Sequence, residues 1–385
     1  GGGATSVLLK DYPEPQRSQI LDLVFAPKFG ASVSTMLVEV PGDGNATQGS
    51  MPSHAHTRED LNHRRGYMAW VMKEAKRRHP DLTLDATAWS APGWVGGGSF
   101  WSQDAADYYV TWLRGLREVH GLELDAIGCR NEKGADLDFA RAMRATLDAG
   151  EFGNVRLHAF DHWPAEDKFA FLDDLRDDEA SRDAIDIVGA HVLSDRRPGH
   201  PSGRAPQAVQ DLLAHWGKPL WNTEDHVYLD GFDCLIGIVE CLNESYLISG
   251  ATKTVLWYDI AGVYPVQPYA VQPAMLLAHW PWSGHYEVRE ALWGYAHYGQ
   301  FTELGWHYLP QGSGLLDGGG SVVSLASPHR GEEPGDVSLV IETRDAEAAQ
   351  RIRLDLAGEL ADRPLYVWRS TEDAQFNQRD DLEVV

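Results

Sequence analysis

Cysteine is scarce in this chain: three residues, Cys129, Cys234 and Cys241, among 385. Three thiols make no disulfide framework. Cys234 and Cys241 fall on one helix-like segment, which sets them about 10 Å apart along its axis, too far to bridge each other. No C-x-x-C occurs, and no other Cys/His spacing makes a convincing zinc site. Long apolar runs are missing too. None approaches the roughly 18 residues of a membrane span, and no signal peptide is visible. Basic residues are few, 33 Lys and Arg against 57 Asp and Glu, for a formal charge of −24. An acidic surface repels phosphate backbones and anionic headgroups, so no nucleic-acid partner is expected. No G-x-G-x-x-G follows the first strand-like run, which argues against a dinucleotide fold. No metal and no organic cofactor is expected.

What is present is a foldable, aromatic-rich chain. Hydrophobic residues make up 43%, and there are 14 Trp and 14 Tyr. Several Trp (Trp89, Trp94, Trp101, Trp221, Trp257, Trp280, Trp282) fall near strand ends or in loops. Indole faces stack on the C–H faces of sugars, although most tryptophans in any protein fill the core.

From about residue 30 to 300, strand-like and helix-like runs alternate. Strand candidates are 30–40, 82–90, 124–132, 155–161, 184–192, 218–225 and 252–260. Between and after them come helix candidates at 64–80, 104–120, 135–149, 167–178, 206–215, 231–247 and 286–300. Such alternation argues for a parallel sheet with right-handed crossovers. Seven units of this kind predict an α/β fold, a (β/α)8 TIM barrel, with one strand before residue 30 uncounted. Beyond about 305 the pattern turns to short β runs at 321–327, 336–343, 350–358 and 364–370, which read as a small, incomplete β-sandwich. The expected domains are a catalytic barrel over 1–305 and a sandwich over 306–385.

Two of the barrel strands end on acids. LDAIGCRNE (124–132) ends on Glu132, and WNTED (221–225) carries Glu224. Allowing for the uncounted strand, these close strands four and seven. Barrel chemistry sits at the C-terminal ends of the strands, so both carboxylates can face one central pocket. Two carboxylates flanking one sugar are the working parts of a glycosidase. Asn131, just before the first acid, is placed to bond a sugar hydroxyl. Trp257 and Trp89 are candidate stacking surfaces. His191 ends strand six, where structural and catalytic roles are equally open. Asp161, Asp225 and Asp259 also lie at strand ends and read as supporting or surface groups.

The stretches DYPEPQRSQILD (11–22), KFGAS (28–32), PSHAH (52–56), RGYMAWVMKEAKRR (65–78), WSAPGW (89–94), PWSGHY (281–286) and TELGWHYL (302–309) together resemble glycoside hydrolase family 59, the galactosylceramidase family. The resemblance runs from residue 1 to about 310 and more loosely beyond. It implies a retaining β-galactosidase acting on galactosylceramide or a related galactoside, with Glu132 as acid/base and Glu224 as nucleophile. It carries galactose contacts to Thr47, Trp89, Asn131, Trp257 and Tyr269. A lipid-presenting saposin-like partner and a lysosomal or secreted location are implied in the same way. The chain departs from the family at Cys129-Arg130-Asn131-Glu132, where relatives read W-N-E. An Arg130 guanidinium within a few ångströms of Glu132 would lower the pKa of the acid. Two alternatives stay open on sequence alone: a non-catalytic galactoside-binding relative, and a retaining β-glycosidase for another sugar.

Overall fold

The computed structural model describes residues 5–44, 49–194, 203–264, 274–329, 335–355, 360 and 363–379. Seven strands, β1 (Thr35–Glu39), β2 (Thr83–Thr87), β3 (Ala126–Gly128), β4 (Arg156–His162), β5 (Ile187–His191), β6 (Leu220–Asp225) and β7 (Ala251–Leu256), form one sheet in sequence order. Every neighbouring pair in it is parallel. This is the expected barrel wall, nearly closed. Where the uncounted strand is expected, the N-terminal segment meets the chain beyond β7: Gly262 donates its N–H to the Thr5 carbonyl at 2.7 Å, and Leu8 donates to Gly262 at 2.8 Å.

The connecting helices include α1 (Glu14–Phe25), α2 (Met68–Arg78), α3 (Gln103–Gly115) and α4 (Leu137–Ala149). Their ends follow local chemistry. Ser102 and Asp136 cap α3 and α4 by accepting the N–H of Ala105 and Phe139, and α2 finishes on Lys76, Arg77 and Arg78, where cations suit the helix dipole. The helix read at 167–178 is instead two short pieces, α5 (Phe171–Asp174) and α6 (Glu179–Ala184). Asp178 interrupts the run because its carboxylate caps a new helix at Ser181. Next come α7 (Gln207–Trp216), α8 (Gly231–Leu247), which covers the run read at 231–247, and α9 (Ala291–Gly299). The run read as helix from 286 starts later, because His285–Val288 is paired as a strand with Leu276–Trp280.

Strand register divides the side chains. Leu84, Ile127, Leu157 and Val188 are fully buried between sheet and helices, each contributing about 1.5–3 kcal/mol relative to exposure. The alternate positions point into the barrel: Glu39, Asp85, Thr87, Gly128, His158, Gly189, His191, Thr223 and Lys253. A TIM-barrel interior is usually dominated by branched apolar residues; here an apolar cluster of Ala126, Ile187 and Trp221 shares it with buried charged and polar groups.

Beyond β7 three strands form a separate small sheet: β8 (Ile260–Ala261), β9 (Leu276–Trp280) and β10 (His285–Val288). The C-terminal part contains β11 (His307–Tyr308), β12 (Gly314–Leu315), β13 (Ser321–Ala326) and β14 (Val337–Glu342) in one antiparallel sheet, and β15 (Val367–Thr371) with β16 (Ala374–Arg379) in another. No strand forms among the described residues of the run expected at 350–358. The sheet is anchored to α8. Tyr246 stacks on Tyr308 with ring centres 3.8 Å apart, the buried Asn243 amide donates to Ser321 at 2.9 Å, and Arg344 pairs with the buried Glu240 at 2.9 Å.

Among the described residues no helix is long and apolar enough to cross a membrane. The three cysteines are free and buried.

Candidate active site

The C-terminal ends of β3, β5 and β6 converge. After β3 the chain continues through Cys129 and Arg130 to Asn131, whose N–H donates to the Ala88 carbonyl at 2.9 Å, and Glu132, whose N–H donates to the Asp161 carbonyl at 3.1 Å. Glu132 adopts a left-handed backbone, φ 54°. Residues with side chains rarely take that conformation, and here it turns the carboxylate over the pocket. Glu224 lies within β6, its Cα in register with His191 of β5. The Glu224 carbonyl accepts the Val192 N–H at 2.7 Å, which locks the two strand ends together.

His191 Nδ1 lies 3.2 Å from Glu132 Oε1. One atom from each of Glu132, His191 and Glu224 falls within 4.8 Å of the other two. His226 adds a further imidazole, Nε2 4.0 Å from Glu224 Oε1. The set of two carboxylates and an imidazole offers donors that would suit a divalent cation. The same set is equally equipped to move protons.

The charges are unequal. Burial raises Glu224; His191 opposes this, the Glu132 charge and Asp161 add to it, and the result is about 7. Burial also pushes Glu132 up, but the His191 hydrogen bond and charge, with His226 and Lys133, bring it below the ordinary carboxylate value. His191 is lowered by burial and raised more strongly by Glu224 and Glu132. Two carboxylates this close titrate as a pair. Burial thus favours a proton on Glu224, while the neighbouring imidazoles and Lys133 favour the anionic form of Glu132.

The remaining candidates fall as follows. Asn131 is buried beside Glu132, and its side-chain Oδ1 has no hydrogen-bond partner. Trp257 is buried, edge-on to His226 with ring centres 5.9 Å apart. Trp89 is half-buried just beyond β2. Thr47 and Tyr269 lie outside the described residues. Arg130 does not reach toward Glu132 as its position in sequence suggests. Its guanidinium stacks on Phe100 at 4.1 Å and Trp101 at 5.4 Å, and the cationic groups that lower Glu132 are His191, His226 and Lys133.

Sequence reading left His191 undecided and passed over His226, His158, Asp85 and Lys253. His226 follows Glu224 by two residues in a strand-end segment, the one local signal that could have marked it. Asp225 turns out to organise the loop, its carboxylate accepting the N–H of Ser194 and of His226, each at 2.8 Å. A surface groove lined by Lys76, Arg117, Asp125 and Arg156 lies at the opposite, N-terminal end of the strands, remote from the carboxylate pair.

Comparison with known proteins adds to this geometry. The family model described as glycosyl hydrolase family 59 matches residues 1–300. The galactocerebrosidase of Danio rerio is 38% identical over 360 residues, covering 92% of this chain and 50% of its own length. That of Homo sapiens is 38% identical over 361 residues, covering 92% and 49%. The chain therefore spans about half the length of these curated relatives. Among solved structures, SrfJ from Salmonella typhimurium superposes with a TM-score of 0.63 at 14% identity, covering 89% of this chain and 87% of its own. A family 30 subfamily 8 xylanase from Clostridium acetobutylicum gives 0.55 at 16% identity, covering 86% and 81%. At such identities the structural matches speak for the fold alone.

Proposed function

The chain belongs to glycosyl hydrolase family 59, and from that premise we propose that it is a retaining β-galactosidase cleaving galactosylceramide or a related galactoside. The observation that carries the proposal is the closeness of Glu132 and Glu224, with carboxylate oxygens within 4.8 Å. Retaining glycosidases hold their two carboxyl groups about 5–5.5 Å apart, whereas inverting enzymes leave about 6.5–9.5 Å for a water.

In the first step Glu224 attacks the anomeric carbon while Glu132 protonates the leaving oxygen. The C1–O bond to the aglycone breaks and a galactosyl ester forms on Glu224. In the second step Glu132, now anionic, takes a proton from water, and the water oxygen displaces Glu224 from C1. The chemistry needs one proton on the pair, seated on Glu132. Burial by itself favours Glu224. A bound galactoside reverses the preference, because it sets a proton-accepting oxygen beside Glu132 and a carbon of growing positive charge beside Glu224. His191 is close enough to both to ease the exchange. Trp89, Asn131 and Trp257, with Thr47 and Tyr269, are the proposed galactose contacts. The division near residue 306 into a catalytic barrel and a small β module belongs to the same proposal. A galactosyl lipid as natural substrate and a saposin-like presenting protein are its outermost parts.

A 2-deoxy-2-fluoro-β-galactoside with a good leaving group tests the reading. Mass spectrometry of a peptic digest is expected to find the fluorogalactosyl group on Glu224. Glu224→Gln is expected to abolish both labelling and turnover of an aryl β-galactoside; wild-type turnover in that variant would end the proposal.

A further inference from the structure

Beneath the carboxylate pair, the barrel interior carries a line of charges. Lys253 Nζ on β7 donates to Asp85 Oδ2 on β2 at 2.7 Å. His158 on β4 sits between two acids, Nε2 3.0 Å from Asp85 Oδ1 and Nδ1 2.9 Å from Asp161 Oδ1. Thr223 on β6 donates its hydroxyl to the same Asp161 oxygen at 2.8 Å, and Thr87 reaches the other at 3.4 Å. Asp85, His158 and Asp161 are all buried. Burial alone would lower His158, but Asp161 and Asp85 raise it to about 10, so the ring stays cationic at neutral pH. Two anions thus meet two cations. A buried ion network is weak evidence for stability, since apolar filling serves that purpose as well. Its value here lies in what it holds.

Asp161 touches both carboxylate-bearing segments. Its backbone carbonyl accepts the Glu132 N–H, and its carboxylate accepts the hydroxyl of Thr223, the residue before Glu224. Asp161 and Glu132 both adopt left-handed backbones, φ 55° and 54°. Such conformations persist where the surroundings over-determine them. The neighbouring strands are cleared to admit the carboxylate: a Cβ on Gly128 would lie 2.5 Å from Asp161 Oδ2, and one on Gly189 2.3 Å from Oδ1.

We propose that Asp161 is the positioning residue for both carboxylates, setting Glu132 through its carbonyl and Glu224 through the Thr223 hydroxyl, with His158 fixing its rotamer. This inference rests on the double-displacement reading above and names a further residue on which the reaction depends. Asp161 also acts at a distance, since its negative charge raises Glu224 and His191. The groups facing it are His158 of β4, Thr87 and Asp85 of β2, Thr223 and Glu224 of β6, and His191 of β5. Cys129 and Tyr109 also feel its charge. Lys253 closes the line, and His226 and Lys133 face Glu132 from above.

The experiment compares wild type, Asp161→Asn and Thr223→Val in the whole chain. Each is assayed on aryl β-galactoside, β-glucoside and β-xyloside across pH, with melting temperature recorded. Asp161→Asn removes the charge, so kcat is expected to fall by about 100-fold or more with KM changed less than about threefold, and the alkaline limb of kcat/KM moves to lower pH. Thr223→Val keeps the charge and removes one strut; kcat is expected to fall about tenfold with the alkaline limb in place. A folded Asp161→Asn with the wild-type alkaline limb overturns the proposal, as does a Thr223→Val whose limb moves as far as that of Asp161→Asn. Should the wild type cleave none of the three glycosides, the functional reading fails instead. The positioning claim is then read from infrared titration of the protonated carboxyl, which needs no turnover, and is lost if Asp161→Asn leaves that titration unmoved.

Discussion

The imidazole of His191 faces Glu132 through Nδ1 at 3.2 Å, while its Cα is in strand register with Glu224. One side chain on β5 thereby governs both carboxylates. Its cation lowers each of them, so the pair releases protons at lower pH than burial alone would permit.

Replacing His191 by Asn places an amide near the former Nδ1 and removes the charge. Both carboxylates then titrate higher. The acidic limb of the kcat/KM profile is expected to move to higher pH, with activity at pH 5 falling about 10- to 100-fold and less near pH 7. Limbs that stay where the wild type has them would show that His191 does not set these charges.

Glu132→Gln separates proton donation from the rest of the reaction. Turnover of an alkyl β-galactoside is expected to fall by about 10²–10⁴-fold. With a dinitrophenyl leaving group, which needs no proton, the loss in the bond-breaking step shrinks to about tenfold. Steady-state and burst kinetics on the two substrates give the comparison; equal losses on both would remove Glu132 from the acid role.

Asn131 is buried with an unpartnered carbonyl oxygen. Leaving such a group unmet costs about 1–3 kcal/mol in the free protein. Asn131→Ala relieves that cost, so the melting temperature is expected to change little while kcat/KM for an aryl galactoside falls about 10- to 100-fold. A large loss of stability with unchanged kcat/KM would assign Asn131 to packing.

Glu39, at the end of β1, is fully buried with neither carboxylate oxygen hydrogen-bonded. Burial raises it from 4.5 to about 8. Between these values the unfolded chain has released a proton that the native state retains. Stability attributable to this group is therefore full below about pH 4.5 and declines as pH rises toward 8, by something on the order of 4 kcal/mol. Glu39→Gln removes the titration. Calorimetry is expected to show a higher melting temperature than wild type at pH 8.5 and no gain at pH 4.5; equal gains at both would contradict the account.

The barrel was legible because its strands and helices alternate at regular intervals and each strand carries a strong apolar signal. Glu132 and Glu224 stood out because acids at the ends of such runs are costly without a use. The buried charges of the interior were not legible. Asp85, His158 and Lys253 sit in strands whose other face is apolar, and nothing local says that three distant charges meet inside one wall. Arg130 shows the reverse error: adjacency in sequence suggested an effect on Glu132, but the side chain turns onto Phe100 and Trp101. Helix 167–178 was misread because a run of acids with scattered apolar residues does not reveal that Asp178 starts a helix of its own.

The anchoring of the small β sheet to α8 has a consequence for anyone trimming this protein. A barrel cut off at residue 305 would strip Glu240 of its arginine, Asn243 of its serine and Tyr246 of its stacking ring, on the helix that directly follows the strand bearing Glu224. Severing the tail would thus loosen the scaffold from behind, and an inert fragment would be a poor witness against the proposed activity.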